Sequence, residues 1–389
     1  MSKRLTTLDF LRGFFLFVII VDHVELYPSG FDFLTGRGRL WVSAAEGFFF
    51  ISGLLVSYIY RKKLLQGSSF VWIWTKMWRR AAQLYACAVS LTLLFSYWAV
   101  ASGDKGIKYG LPAVINWPHM VWQTLTLQYS FGWADFLPHY VVFMLAAPVV
   151  FFLLAKRQWW LVVLGSAAIW TQRGQEFVPA WQIIFVGGMI TGFYWDALCA
   201  RCQALSPRTQ RVLLASLFSL TAVTFICSYL SVFVLSELNA HFASLAQWQV
   251  NLMHTWDQAN TVSWRYLEKW TMEPGRMITF GLWFATSYIL CQRYAKQLQQ
   301  LTYGVLETLG RHSLFVYALH ALVIFVLHLA LHGHTNLWQN MAITASVLGV
   351  IVMITYIKDN LDALGLPHQE PQTNSALVAR LVVEKLESE

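Results

Sequence analysis

The chain has 389 residues, 57% of them hydrophobic and only 12% charged, with a mean hydropathy of +0.49 and 19 tryptophans. That composition excludes a soluble domain on a single anchor and defines an all-α polytopic integral membrane protein. The net charge of +8 reflects where Lys and Arg fall along the topology, so it implies no nucleic-acid partner.

In chain order, apolar runs predict about ten transmembrane helices, at roughly 8–27, 41–60, 81–102, 139–155, 158–172, 179–197, 211–236, 276–293, 309–331 and 337–357. They form one domain, 1–360, followed by a cytoplasmic tail, 361–389. With both termini inside, twenty Lys and Arg face the cytoplasm and eight face out, which sets the orientation. The segment 70–80, FVWIWTKMWRR, reads as an interfacial helix leading into the third span.

The first span, LDFLRGFFLFVIIVDHVE, carries Asp9 and Arg12 at one end and Asp22 and His23 at the other. Ionisable groups in a span are costly, although end residues can also snorkel to water. The eleven-residue step from Arg12 to His23 returns to within ~20° of one face, with the two ~16 Å apart along the axis. Glu46, just before FFFISG, lies at the same outer depth as His23 on the returning helix. A carboxylate accepting from one imidazole nitrogen fixes the tautomer and leaves the other nitrogen as a base. Glu46 is the first candidate for that carboxylate, with the helix N-terminal acid as its plain alternative. Asp22, ~100° around the helix from His23, is the second.

On the inner side, Arg12, Lys76, Arg79, Arg80 and Arg311 supply fixed cations suited to a polyphosphate, where positive-inside topology alone also puts cations. His320 lies nine residues, ~14 Å, beyond Arg311, near the membrane middle. His139, Tyr140, Trp181 and His320 are the candidates for substrate contact, and Tyr140, Ser52 and Trp181 are candidate oxyanion donors. Outer loops near 103–138 and 237–275 are rich in aromatics, including Trp248, Trp256, Trp264 and Trp270, which suit sugar faces and the headgroup belt alike. The five cysteines show no disulfide framework. Cys199 and Cys202 have CxxC spacing without a second pair, so no metal is expected.

A phosphate patch inside and a base outside suit two classes. One is an enzyme that passes an activated group outward. The other is an exporter or flippase of a glycan or lipid-linked precursor, acting without covalent chemistry. A membrane scaffold for glycan assembly is a third reading.

The motifs resemble those of the OpgC-type acyltransferases, within the broader superfamily of transmembrane acyltransferases. The matching pieces are LDFLRG at 8–13 with His23, SAAEGFFFISG at 43–53, WRRAAQLY at 78–85, LPHYVVFMLAAPVVFFLL at 137–154, PAWQIIFVGG at 179–188 and LGRHSL at 309–314. The resemblance implies a multi-pass protein of the bacterial inner membrane. It implies acyl-CoA as donor substrate, succinyl-CoA or acetyl-CoA, and a hydroxyl of an extracytoplasmic glycan as acceptor. In the family's R-x10-H pattern, Arg12 and His23 match the essential pair. Glu46 stands where the superfamily has an acidic residue, and Arg79 and Arg80 resemble the CoA-facing basic motif. Acyl chain, acceptor glycan and oligomeric state stay open.

Overall fold

The computed structural model describes residues 6–103, 111–112, 114–174, 176–231, 265–331 and 336–364. Among these there is no strand. The helices are α1 (Thr6–Val24), one-turn α2 (Asp32–Thr35), α3 (Ala44–Leu65), α4 (Phe70–Ala101), α5 (Trp117–Leu125), α6 (Phe136–Ala155), α7 (Trp159–Thr171), α8 (Phe177–Phe193), α9 (Trp195–Ala204), α10 (Pro207–Tyr229), α11 (Pro274–Arg293), α12 (Ala295–Leu301), α13 (Val305–Arg311), α14 (Ser313–Ala330) and α15 (Leu337–Leu364). Residues 361–364 of the expected tail continue α15, and 365–389, like Trp248, Trp256 and Trp264, lie outside the described residues.

The expectation of about ten spans is corrected. Among the described residues, five segments are long and apolar enough to cross a membrane: Phe70–Ala101, Gly132–Ala155, Pro207–Tyr229, Ser313–Ala330 and Leu337–Asp362. A sixth is available if α8 and α9, bent by 67° at their junction, count as one. The physical reasons are local. Helix α1 carries Asp9, Arg12 and Asp22, and α3 opens with Glu46 and ends in Arg61, Lys62 and Lys63. The 13 residues of α7 rise only ~20 Å, short of a ~30 Å hydrocarbon core. The interfacial helix expected at 70–80 is the first third of α4, a continuous 32-residue helix capped by Ser69, whose side chain accepts from the Trp72 N–H.

Between apolar helices in lipid, association rests on close packing rather than on escape from water. Two backbone crossings here depend on glycine. Where α3 meets α8, a Cβ on Gly53 would stand 2.1 Å from the Phe185 carbonyl oxygen, one on Gly188 2.1 Å from that of Phe50, and one on Gly192 2.0 Å from that of Leu54. Where α1 meets α13, a Cβ on Gly13 would stand 1.8 Å from the Leu306 oxygen and one on Gly310 1.8 Å from that of Asp9. Beside the first crossing lies an aromatic core centred on Phe49, stacked on Phe136 at 3.9 Å and edge-on to Phe143 and Trp181 at 5.1 and 5.6 Å.

Gly188→Leu is expected to abolish the folded, monodisperse protein, since the clash is with backbone and neither helix can yield. Gly349→Leu, where the added Cβ meets nothing within 4 Å, should melt like the wild type. Thermal melts followed by fluorescence size exclusion compare the two.

Candidate active site

Helix α1 reaches α14 at two points. Near its start, Arg12 donates from Nη2 to Ser313 Oγ at the first residue of α14, and its guanidinium lies 5.8 Å from the centre of the Phe48 ring. Near its end, His23 Nδ1 stands 3.0 Å from His320 Nε2, with the rings stacked at 5.2 Å and 30°. His320 is fully buried, whereas His23 keeps partial exposure. The other His320 nitrogen, Nδ1, hydrogen-bonds to the Tyr317 carbonyl oxygen, one turn earlier on α14.

These contacts decide where the protons sit. A carbonyl only accepts, so His320 Nδ1 carries the hydrogen and its Nε2 presents a lone pair. His23 must then donate from Nδ1, which leaves the lone pair of His23 on Nε2. A partly exposed imidazole held in that tautomer can take a proton from an approaching hydroxyl. Tyr317 is itself fixed, its hydroxyl donating to the Trp133 carbonyl at 3.1 Å.

The expected pairing of His23 with Glu46 differs from what the structure holds, where His23 pairs with His320. Glu46 is fully buried and serves the start of α3. Its Oε2 accepts from the Ser43 N–H at 3.0 Å and from the Ser43 hydroxyl, the reciprocal contact of a capping box. Its Oε1 accepts from Arg276 Nε, and Arg276 Nη1 donates to the Leu267 carbonyl at 3.2 Å. Two buried opposite charges at a helix N-terminus satisfy each other there, so the carboxylate has no need of an imidazole. Asp22 turns its side chain to the Gly36–Gly38 turn, with Oδ2 3.3 Å from where a Cβ on Gly38 would stand.

The five inner cations separate into groups. Arg80 lines a small cavity with Ser313, Tyr140, Tyr317 and Phe48, and Ser313 is also the residue that accepts from Arg12. Lys76 and Arg79 are exposed on α4, with the Lys76 ammonium over the Trp72 ring at 5.2 Å. Arg311 turns away, donating to Asp359 at 2.9 Å and to the Thr308 hydroxyl at 2.8 Å. It lines a polar cavity of about 400 Å³ with Asp9, Glu307 and Asp359.

Of the residues expected to face substrate, Tyr140 borders the Arg80 cavity, and His320 is the partner of His23. His139 packs on Phe177 with ring centres 4.0 Å apart. Trp181 is fully buried and stacked on the same Phe177 at 4.7 Å and 8°. Ser52 is buried in α3, its hydroxyl without a hydrogen bond among the described residues. Among the described residues no group of three His, Cys, Asp or Glu is arranged to hold a metal ion.

Sequence reasoning missed Arg276, Ser313 and Tyr317. Ser313 lies in LGRHSL and Tyr317 three residues before His320, so helical spacing could have flagged both. Arg276 was legible only as one more outer cation. Nothing in the sequence ties it to a carboxylate 230 residues earlier.

Several helices long and apolar enough to cross a membrane point to a multi-pass helical membrane protein, in which His23 and His320 meet between α1 and α14. The model of the OpgC protein family matches residues 4–363, and the chain belongs to that family. Membership supports an OpgC-like membrane acyltransferase. Comparison with curated proteins and with solved structures gave no match.

Breaking a buried ion pair strands a charge. Arg276→Met is therefore expected to destabilise the protein by about 3–5 kcal/mol, while Glu46→Leu with Arg276→Met recovers most of that loss. A double-mutant cycle of thermal melts measures the coupling.

Proposed function

We propose that the protein transfers an acyl group from acyl-CoA, with succinyl-CoA or acetyl-CoA as donor, to a hydroxyl of an extracytoplasmic glycan, across the inner membrane with both termini in the cytoplasm. The observation that carries this reading is the hydrogen-bonded series from the Tyr317 carbonyl through His320 to His23, which leaves His23 Nε2 as the acceptor.

In this mechanism the glycan hydroxyl attacks the thioester carbonyl while its proton passes to His23 Nε2. Collapse of the tetrahedral intermediate breaks the C–S bond, and the proton returns from His23 to the CoA thiolate. The products are a glycan ester and free CoA. His320 is a positioning residue: it accepts from His23 Nδ1 and fixes the ring, the part usually given to a carboxylate. Arg12, bonded to Ser313, and Arg80, in the cavity that Ser313 also lines, contribute positive charge on the donor side, with Lys76 and Arg79 exposed on α4. Tyr140 borders the same cavity and is the best placed of the expected oxyanion donors.

The test is label transfer from acyl-CoA, supplied to the cytoplasmic face of reconstituted vesicles, to a mixed extract of envelope glycans. His23→Ala should lower transfer by roughly 10²–10⁴-fold, and Arg12→Ala should weaken transfer by raising KM for the donor. His320→Leu should lower kcat and alter the pH profile while leaving donor KM unchanged. Unmodified glycan crossing the membrane without label transfer, for any short acyl-CoA, would assign the protein to export instead.

A further inference from the structure

A cavity of about 770 Å³ with a predominantly apolar lining, to which no histidine contributes, lies between α8, α9, α10 and α11. It extends along α11 from Met277 to Gln292, fifteen residues or ~22 Å, more than half the ~30 Å hydrocarbon core. Two of its lining residues are glycines that leave it open: a Cβ on Gly187 of α8 or on Gly281 of α11 would meet nothing within 4 Å. The outer wall, α10, is apolar enough to span and almost entirely exposed, a surface suited to lipid.

At one end the lining turns polar, with Cys199, Cys202, Gln203, Gln210 and Gln292. Gln210 ties the α9–α10 turn shut there, its Nε2 donating to the Cys202, Gln203 and Leu205 carbonyls. Close in sequence to these polar lining residues stand exposed cations: Arg201 in α9, Arg208 and Arg211 in the first turns of α10, and Arg293 at the end of α11. The nearby carboxylate, Asp196, pairs with Arg61 at 3.3 Å. An apolar slot of acyl-chain length whose polar end is formed by helix ends that also carry four exposed arginines matches one kind of ligand in both its parts.

We propose that this cleft holds an anionic phospholipid, with an acyl chain between α8 and α11 and the phosphate among Arg201, Arg208, Arg211 and Arg293. Gly187 and Gly281 set the space for the chain, and the arginines select the headgroup. The lipid completes the wall between α10 and the rest of the helices and takes no part in acyl transfer.

The experiment exchanges full-length purified protein against vesicles of phosphatidylglycerol or of phosphatidylcholine, then counts retained phospholipid by native mass spectrometry. Wild type should retain phosphatidylglycerol in preference to phosphatidylcholine. Gly187→Phe with Gly281→Phe fills the slot without a backbone clash, and should retain phosphatidylglycerol at a level roughly tenfold lower while still giving a cooperative melt. Arg208→Gln with Arg211→Gln should cut the preference for phosphatidylglycerol roughly tenfold with the slot intact. Equal retention of the two lipids by wild type, or undiminished phosphatidylglycerol in the filled variant, overturns the proposal. Neither outcome bears on acyl transfer, which the label assay reads separately.

Discussion

A polar side chain among apolar helices has no water to turn to, so another helix must supply its partner. That constraint organises this molecule. Arg12 meets Ser313, His23 meets His320 and Glu46 meets Arg276, each pair joining segments far apart in the chain. Such contacts require backbones to come close, and the glycine crossings provide the approach. Gly13 and Gly310 bring α1 against α13, and α14 follows after a single residue. The depth at which His320 stands opposite His23 is therefore set largely by a crossing that contains neither residue.

The same arrangement separates the groups that shape the bundle from those open to chemistry. Around Phe49, the rings of Phe136, Phe143, Phe177 and Trp181 form a packed block that carries α3 against α6 and α8. Trp181 and Glu46 belong to that framework through complete burial and fixed contacts. His23 differs in keeping some exposure while its ring is held from one side by His320. An acid–base group needs that combination of a fixed orientation and a reachable lone pair.

Much of this was legible in the sequence, and the remainder has identifiable causes. Helical class, the one-face spacing of Arg12 and His23, and the family resemblance all followed from local pattern. The span count did not, because charges satisfied by distant helices and short or bent apolar helices look alike to a reading of apolar runs. Arg12 and Glu46 lower the hydropathy of α1 and α3, and both are answered across the bundle. The partner of His23 was misjudged for a related reason. Connectivity places α3 next to α1 in sequence, so a carboxylate on α3 was the nearer choice, whereas a residue 297 positions away makes the contact. Helical periodicity shows which residues share a face and carries no information about which distant face lies opposite.

The Glu46–Arg276 pair also bears on how the chain matures. The carboxylate is synthesised 230 residues before its guanidinium, an interval of roughly 10–50 s at ordinary elongation rates. Of the contacts Glu46 makes in the folded protein, only those with Ser43 are available during that interval. An acid in that state favours the aqueous boundary over the bilayer interior. The helix can therefore settle to its final depth only after α11 has emerged, which makes the burial of α3 a late and shared event rather than the outcome of its own insertion.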